Sequence, residues 1–331
     1  MLKQSIKIIE DMQYPSGLFA ASNPNVKTGY NLSWIRDNVY TLIGLESAQK
    51  YNLVRKTLRA LLEILLKHEN KIDWAIKEKP KHAYQYIHAR YNPNSMEEIW
   101  ESWGNKQNDA IGALLFKIGD LEENGIKIIR NENDLRIIQK LVNYLESIEY
   151  WHDKDNGMWE ENEEIHASSI GACVAGLKKI RKIVHVKNEL IKIGQEELNK
   201  LLPRESETKE VDLALLSLIY PYNITTKEQR NLILKNVEDK LLRDKGVLRY
   251  LGDQYYFRNG EAQWTMGLPW LAIIYKKLNM PDKYAFYSRK TLEAMNERGE
   301  LPELYYADSN EHNENCPLAW SQALFVASLE E

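Results

Sequence analysis

The sequence predicts an all-α fold, an (α/α)6 barrel of two concentric rings of helices, and three observations predict it. Helical periodicity runs through nearly all of the 331 residues, whereas strand signals are weak. The helical segments, about twelve of them, alternate between two kinds. One kind is amphipathic and rich in Lys and Glu; the other is apolar nearly all round, with Gly, Ala and Ser. A helix apolar on every side must be buried on every side, so the second kind has to be wrapped by the first. The alternative for paired helices is an α-solenoid, which should show self-similar repeats of fixed period, and none is present.

The elements follow in chain order. An amphipathic segment over 2–13 precedes an apolar one over 36–50. The pattern LVRKTLRALLEILLKHENK predicts an outer helix over 53–68, followed by DAIGALLF in a buried helix over 108–119. An amphipathic helix over 131–148, within a stretch that includes NDLRIIQKLVNYLESIEYW, pairs with an apolar one over 163–182 that contains ASSIGACVAGL, and 185–200 pairs with one over 209–218 that overlaps DLALLSLIY. The last pairs are 226–240 with 261–277, and 282–296 with PLAWSQALFVASL (317–329). The best strand candidate, GVLRYLGDQYYF (246–257), is short and interrupted by glycine. The whole chain, 1–331, is expected to be one domain with no separate β-domain.

Composition excludes several classes. A net charge of −4 with both signs interspersed argues against a nucleic-acid partner, which needs a basic face. KEKPKHAYQYIHARYN (77–92) reads as a solvated loop. No apolar run approaches the ~18 residues of a membrane span, and the start shows no signal-peptide pattern. Two cysteines, Cys173 and Cys316, give neither a disulfide framework nor zinc spacing. His82, His88, His152, His166 and His312 fall in no ligand spacing, so no metal or other cofactor is expected. These features lead us to expect a soluble, reduced, cytoplasmic protein; oligomeric state is not legible. Nine Trp and nineteen Tyr against five Phe is an unusual balance. Flat apolar faces with polar edges suit sugars, although ordinary core aromatics would give the same count.

The loops entering the apolar helices carry the chemistry. They read GYNLSWIRDN (29–38), WESWGNKQND (100–109), GMWEENEE (157–164), RYLGDQYYFRNGEAQW (249–264) and LPELYYADSNEHNENCPLAW (301–320). In two alternating rings these loops all lie at one end, so Trp34, Arg36, Asp37, Trp103, Trp159, Glu160, Arg249, Glu303 and Trp320 should meet at one mouth. Glycoside hydrolysis needs two carboxyl groups, and in the inverting form they stand roughly 6.5–9.5 Å apart. Glu160 and Glu303 come from different loops, which allows such a gap. Repulsion from adjacent Glu161, and burial beside Trp159, should raise the Glu160 pKa toward that of a general acid. Arg36, Asp37 and Arg249 offer charge-assisted hydrogen bonds to hydroxyls, and Trp34, Trp103 and Trp320 offer stacking faces. Taken singly, Glu160 and Glu161 could merely favour a helix N-terminus, and Arg36 with Asp37 could be a structural ion pair. Five independent loops with the same chemistry favour a site.

With those residues in place, the chain resembles the glucoamylase family of inverting glycoside hydrolases, and their relative, the glucoamylase-like domain of the phosphorylase kinase regulatory subunits. The resemblance runs nearly end to end, through QYPSGLFAAS, GYNLSWIRD, SWGNKQNDAIGA, GMWEE, RYLGDQYY, LPEL and PLAWSQALF. W-x-R-D is moderately specific; SWG-x-x-Q-x-D, then W-E-E, then PLAWS, in that order, is strongly so. The resemblance implies an (α/α)6 barrel without cofactor that releases β-glucose from α-glucosides. It implies Glu160 as general acid and Glu303 as the base activating water. It places Tyr30, Trp34, Arg36 and Asp37 on the wall holding the terminal glucose, Trp103 as a bridging tryptophan, Glu161 and Arg249 on both sides of the scissile bond, and Trp320 along the same subsite; Trp159, beside Glu160 at the mouth, is expected to bind substrate as well. There are departures: Leu304 follows Glu303 where glucoamylases usually have Gln, and IHARYN (87–92) and EAQW (261–264) look more like the kinase subunits. No starch-binding module is expected, so short oligosaccharides or disaccharides, trehalose and isomaltose included, are the expected substrates. The alternative is a carbohydrate-binding regulatory barrel without turnover, but both carboxylates are retained.

Overall fold

A computed structural model describes residues 1–101 and 103–330. Among them lie thirteen α-helices: α1 (Leu2–Asp11), α2 (Ile35–Ser47), α3 (Tyr51–Lys67), α4 (Glu69–Glu78), α5 (Asn108–Glu123), α6 (Glu132–Ser147), α7 (Ala167–Ile180), α8 (Asn188–Leu201), α9 (Leu216–Ile219), α10 (Lys227–Leu241), α11 (Gly267–Lys277), α12 (Pro281–Glu293) and α13 (Ala319–Glu330). Two strand pairs of two residues each pin the entry loops, β1 (Ser33–Trp34) with β2 (Arg90–Tyr91) and β3 (Gln263–Trp264) with β4 (Leu304–Tyr305), both antiparallel.

Six helices close an inner ring. Going round, α2 packs on α5, α5 on α7, α7 on α9, α9 on α11, α11 on α13, and α13 back on α2. Nearly every residue of these helices is buried. The amphipathic helices lie outside: α1 against α13 and α2, α3 against α2, α6 against α5, α8 against α7, α10 against α9 and α12 against α11. This is the barrel that the alternation predicts.

The inner ring is tight because its helices carry glycine where they cross. A Cβ on Gly112 of α5 would overlap the Ala172 backbone of α7, and one on Gly44 of α2 would overlap Ala323 of α13. Outer helices start with their own caps: Asn131 accepts from the amides of Asn133 and Asp134 at α6, and Thr226 with Gln229 forms a capping box at α10. Inner helices borrow theirs. The Asp155 carboxylate accepts from the Asn108 amide at the start of α5, 2.9 Å, and Glu205 takes the Ser168 amide in the first turn of α7, 3.1 Å. The entry loops therefore interlock, each served by its neighbour.

Three boundaries depart from expectation. Helix α4 follows α3 across a kink at His68 and was not foreseen. Helix α9 is four residues preceded by a 3-10 turn over Leu213–Leu215, far shorter than its ring neighbours. The 246–257 segment forms isolated bridges through Val247 and Tyr250 instead of a strand, because the chain turns away at Gly252, whose φ is +86°.

Candidate active site

The inner helices point their N-termini at a single cavity, about 70 Å³ in volume, walled by residues of all but one of the quoted entry loops. Tyr30, Trp34, Arg36 and Asp37 enter with α2; Trp159 and Glu160 precede α7; Arg249, Tyr255 and Trp264 precede α11; Trp320 opens α13. The indoles form one aromatic wall: Trp159 stacks on Trp320 at 6.4 Å and lies 5.8 Å from Trp264.

Arg36 organises one side. Its Nη1 donates to Gln107 Oε1 at 2.8 Å and to Asp109 Oδ2 at 3.1 Å, and its Nη2 donates to Glu160 Oε1 at 3.0 Å. Asp37 is not its ion-pair partner, so the simple structural pair allowed by the sequence is absent from the ion pairs of the described residues. Burial raises the Glu160 carboxyl to about 7, against the pull of Arg36 and with a further push from the Asp37 charge. Asp37 itself is raised to about 6 by burial.

Here the expectation about Glu161 is corrected. The like charge acting on Glu160 is Asp37, not its chain neighbour. Glu160 adopts φ +64°, and the two side chains part. Glu161 turns to accept from Arg249 Nη2 at 2.7 Å, Tyr250 Oη at 2.6 Å and Lys209 Nζ at 3.0 Å. Left-handed backbone at a non-glycine residue is strained and must be held by its surroundings. The restraint is visible: Asn156 Nδ2 donates to the Glu161 carbonyl at 2.6 Å, and a Cβ on Gly104 would stand 2.6 Å from the Glu160 carbonyl oxygen, so only glycine fits at position 104.

Glu303, fully buried, is held from the other side. Its Oε2 accepts from Asn315 Nδ2 at 2.7 Å and from Asn313 Nδ2, while its Oε1 has no hydrogen-bond partner. Burial raises its pKa, and the Tyr30 hydroxyl and the two amides pull it back down. Tyr30, in the cavity wall, feels the charges of both Glu160 and Glu303, although Glu303 is not itself among the lining residues.

Trp103 stands outside that wall. Its ring lies 6.0 Å from Trp34 in an edge contact, beneath the Arg90 guanidinium at 4.5 Å. Arg249 lies inside, 4.9 Å over both Tyr255 and Trp264, and is fixed by Asp253 through Nε at 2.7 Å and Nη2 at 2.6 Å. Sequence reasoning missed Gln107, Asp109, Tyr255, Trp264, Asn313 and Asn315. All stand in the quoted loops; the paired spacing Asn-x-Asn ten residues past Glu303 was the available signal. Cys316 is buried, with its thiol pushed up to about 12, so it is no nucleophile. Among the described residues no cluster of His, Cys, Asp or Glu is arranged to hold a metal, and no helix is long and apolar enough to cross a membrane.

Several polar atoms around the cavity are buried without any partner in the protein: Nε1 of Trp34, Trp264 and Trp320, Nε of Arg36 and Oε1 of Glu303. Buried polar atoms ordinarily have partners, and their concentration here fits a hydroxyl-rich ligand.

Comparison with known proteins agrees with this fold. The family model described as "Glycosyl hydrolases family 15" matches residues 1–329. The structure superposes on that of "Glycosidase Wild Type" with a TM-score of 0.83 at 18% identity, covering 99% of this chain and 94% of the other. It superposes on "Glucoamylase from Saccharomycopsis fibuligera at atomic resolution" with a TM-score of 0.73 at 14% identity, covering 99% and 93%. Among curated sequences it is 25% identical to the liver isoform of phosphorylase b kinase regulatory subunit alpha of Mus musculus, over 95% of this chain and 31% of that protein. The chain thus spans about a third of the length of the curated relatives it matches.

Proposed function

The chain belongs to the glycosyl hydrolases of family 15, and from that premise we propose that it is an inverting, exo-acting α-glucoside hydrolase that releases β-glucose from the non-reducing end of short α-glucans or disaccharides. In this reading Glu160 protonates the departing glycosidic oxygen and Glu303 takes the proton of the attacking water through Oε1. Arg36, Asp37 and Arg249 bind hydroxyls of the terminal sugar, Tyr30, Trp34, Trp159 and Trp320 enclose it, and Glu161 and Trp103 border the second subsite. The observation that carries the proposal is the different handling of two carboxylates, Glu160 in the cavity wall and Glu303 fully buried beside Tyr30, which lines the same wall. Glu160, with a pKa of about 7, holds a proton near neutrality. Glu303 keeps one oxygen without a partner while amides stabilise its ionised form. The small cavity suits a chain end.

The matched kinase regulatory subunits favour a second reading, a carbohydrate-binding regulatory barrel without turnover. Proton NMR of maltotriose, maltose, isomaltose and trehalose with the protein separates the two. β-Glucose appearing first establishes inversion and names the linkage. α-Glucose first refutes the assigned acid–base pair. Maltose binding without any glucose release supports the regulatory barrel.

A further inference from the structure

The opposite end of the barrel holds a larger cavity, about 1040 Å³, at the upper end of the usual range for small-molecule sites. It exists because α9 is short. Sixteen residues of α5 span about 24 Å, whereas the 3-10 turn and α9 together span about 12 Å. The missing turns leave the C-terminal halves of α7 and α11 without their ring neighbour, and Phe116, Lys117 and Asp120 of α5 face the same space. The chain that follows α9, from Ile219 to Ile224, folds across the side of this space.

The walls are basic in an acidic protein. Seven Lys and Arg side chains line them against three carboxylates, although the whole chain carries −4. Part of this is ordinary: Lys178 and Lys179 end α7, where a cation suits the helix dipole. Lys117 is met by Glu46 at 2.6 Å, and Lys179 by Asp120 at 2.6 Å and Glu123 at 3.0 Å. Arg181 and Arg230 have no carboxylate within 4.0 Å among the described residues. Arg230 is the informative one. It sits in the first turn of α10, where the dipole disfavours a cation, and its Nε is buried with no acceptor in the protein. Helix charge compensation does not explain it. Two aromatic rings line the same walls beside lysines, Phe116 with Lys179 at 5.8 Å and Tyr220 with Lys277 at 5.2 Å.

We propose that this cavity is a second ligand site, distinct from the mouth, for a small phosphate monoester with a ring-shaped body. Arg181 and Arg230 take the phosphate in charge-assisted, forked hydrogen bonds, and the aromatic faces take the ring. The test is calorimetric titration of the intact protein, at low ionic strength, with glucose 6-phosphate, AMP, inorganic phosphate and glucose. At least one ester is expected to bind, more tightly than inorganic phosphate, with no heat from glucose that depends on this cavity. The double variant Arg181→Gln/Arg230→Gln should weaken that ester tenfold or more. Lys182→Glu, on the exposed rim where Lys182 pairs with Glu123, should weaken it as well. The tighter of the two esters identifies the ring. No binding of either ester at millimolar concentration, or unchanged affinity in both variants, overturns the site. Inorganic phosphate binding as tightly as the esters overturns the assignment of a ring-bearing ligand.

Discussion

Replacing Glu160 with Gln should make the protein more stable, and increasingly so as pH rises. The carboxyl ordinarily titrates at 4.5 and is held at about 7 in the folded chain. A carboxyl raised in this way binds its proton more tightly folded than unfolded. Stability therefore falls as pH climbs from 4.5 through 7, and the whole loss is felt above 7. Linkage between those two values gives a cost of about 0.8 kcal/mol at pH 5 and about 3.3 kcal/mol at pH 8. Gln is nearly isosteric, keeps an oxygen for Arg36 Nη2, and does not titrate. Arg36 also keeps Asp109 and Gln107. The difference in unfolding free energy between variant and wild type should thus grow by about 2.5 kcal/mol between pH 5 and pH 8. Urea unfolding at both pH values, with equal m-values, reads it directly. A constant difference would mean that Glu160 is not held protonated, and the general-acid role would fall with it.

Three further outcomes are expected. In wild-type kcat/KM the alkaline limb should lie near pH 7, set by Glu160, and Asp37→Asn should move it lower, since the Asp37 charge pushes Glu160 up; a pH profile with an unmoved limb contradicts that coupling. Asn315→Ala removes an amide that favours ionised Glu303, so the acid limb should move to higher pH, measured in the same profile. Arg36→Lys cannot serve Gln107, Asp109 and Glu160 together, and leaving a buried carboxylate short of its partner should cost about 3 kcal/mol in urea unfolding and weaken maltose binding.

Much of this was legible in the sequence, for identifiable reasons. The ring order follows from alternation between apolar and amphipathic helices, because burial on all sides leaves a helix only one place to go. The mouth follows because Trp34, Glu160, Arg249 and Glu303 precede inner helices and Trp320 opens one. What stayed hidden depends on backbone direction and on length. DLALLSLIY reads equally well as a long or a short buried helix, so the truncation of α9 and the cavity below it left no trace in the pattern. The break between α3 and α4 at His68 has no Gly or Pro to announce it. Glu160 and Glu161 look like one repelling pair in sequence, yet the positive φ of Glu160 sends them to different partners.

That divergence decides which carboxyl carries the proton. Glu161 is engaged by Arg249, Lys209 and the Tyr250 hydroxyl, away from Glu160. Glu303 has two amide donors on Oε2 and the Tyr30 hydroxyl nearby, and these oppose the effect of burial. Glu160 has the Nη2 of Arg36, but that guanidinium is already committed to Asp109, and the half-buried Asp37 opposes ionisation from nearby. Burial raises both Glu160 and Glu303, so burial alone cannot assign roles. In the proposed mechanism the donors do: with the least compensation for lost hydration, Glu160 serves as the group that keeps its proton at neutral pH, and Glu303, with one oxygen steadied and the other unpartnered, as the group that receives one.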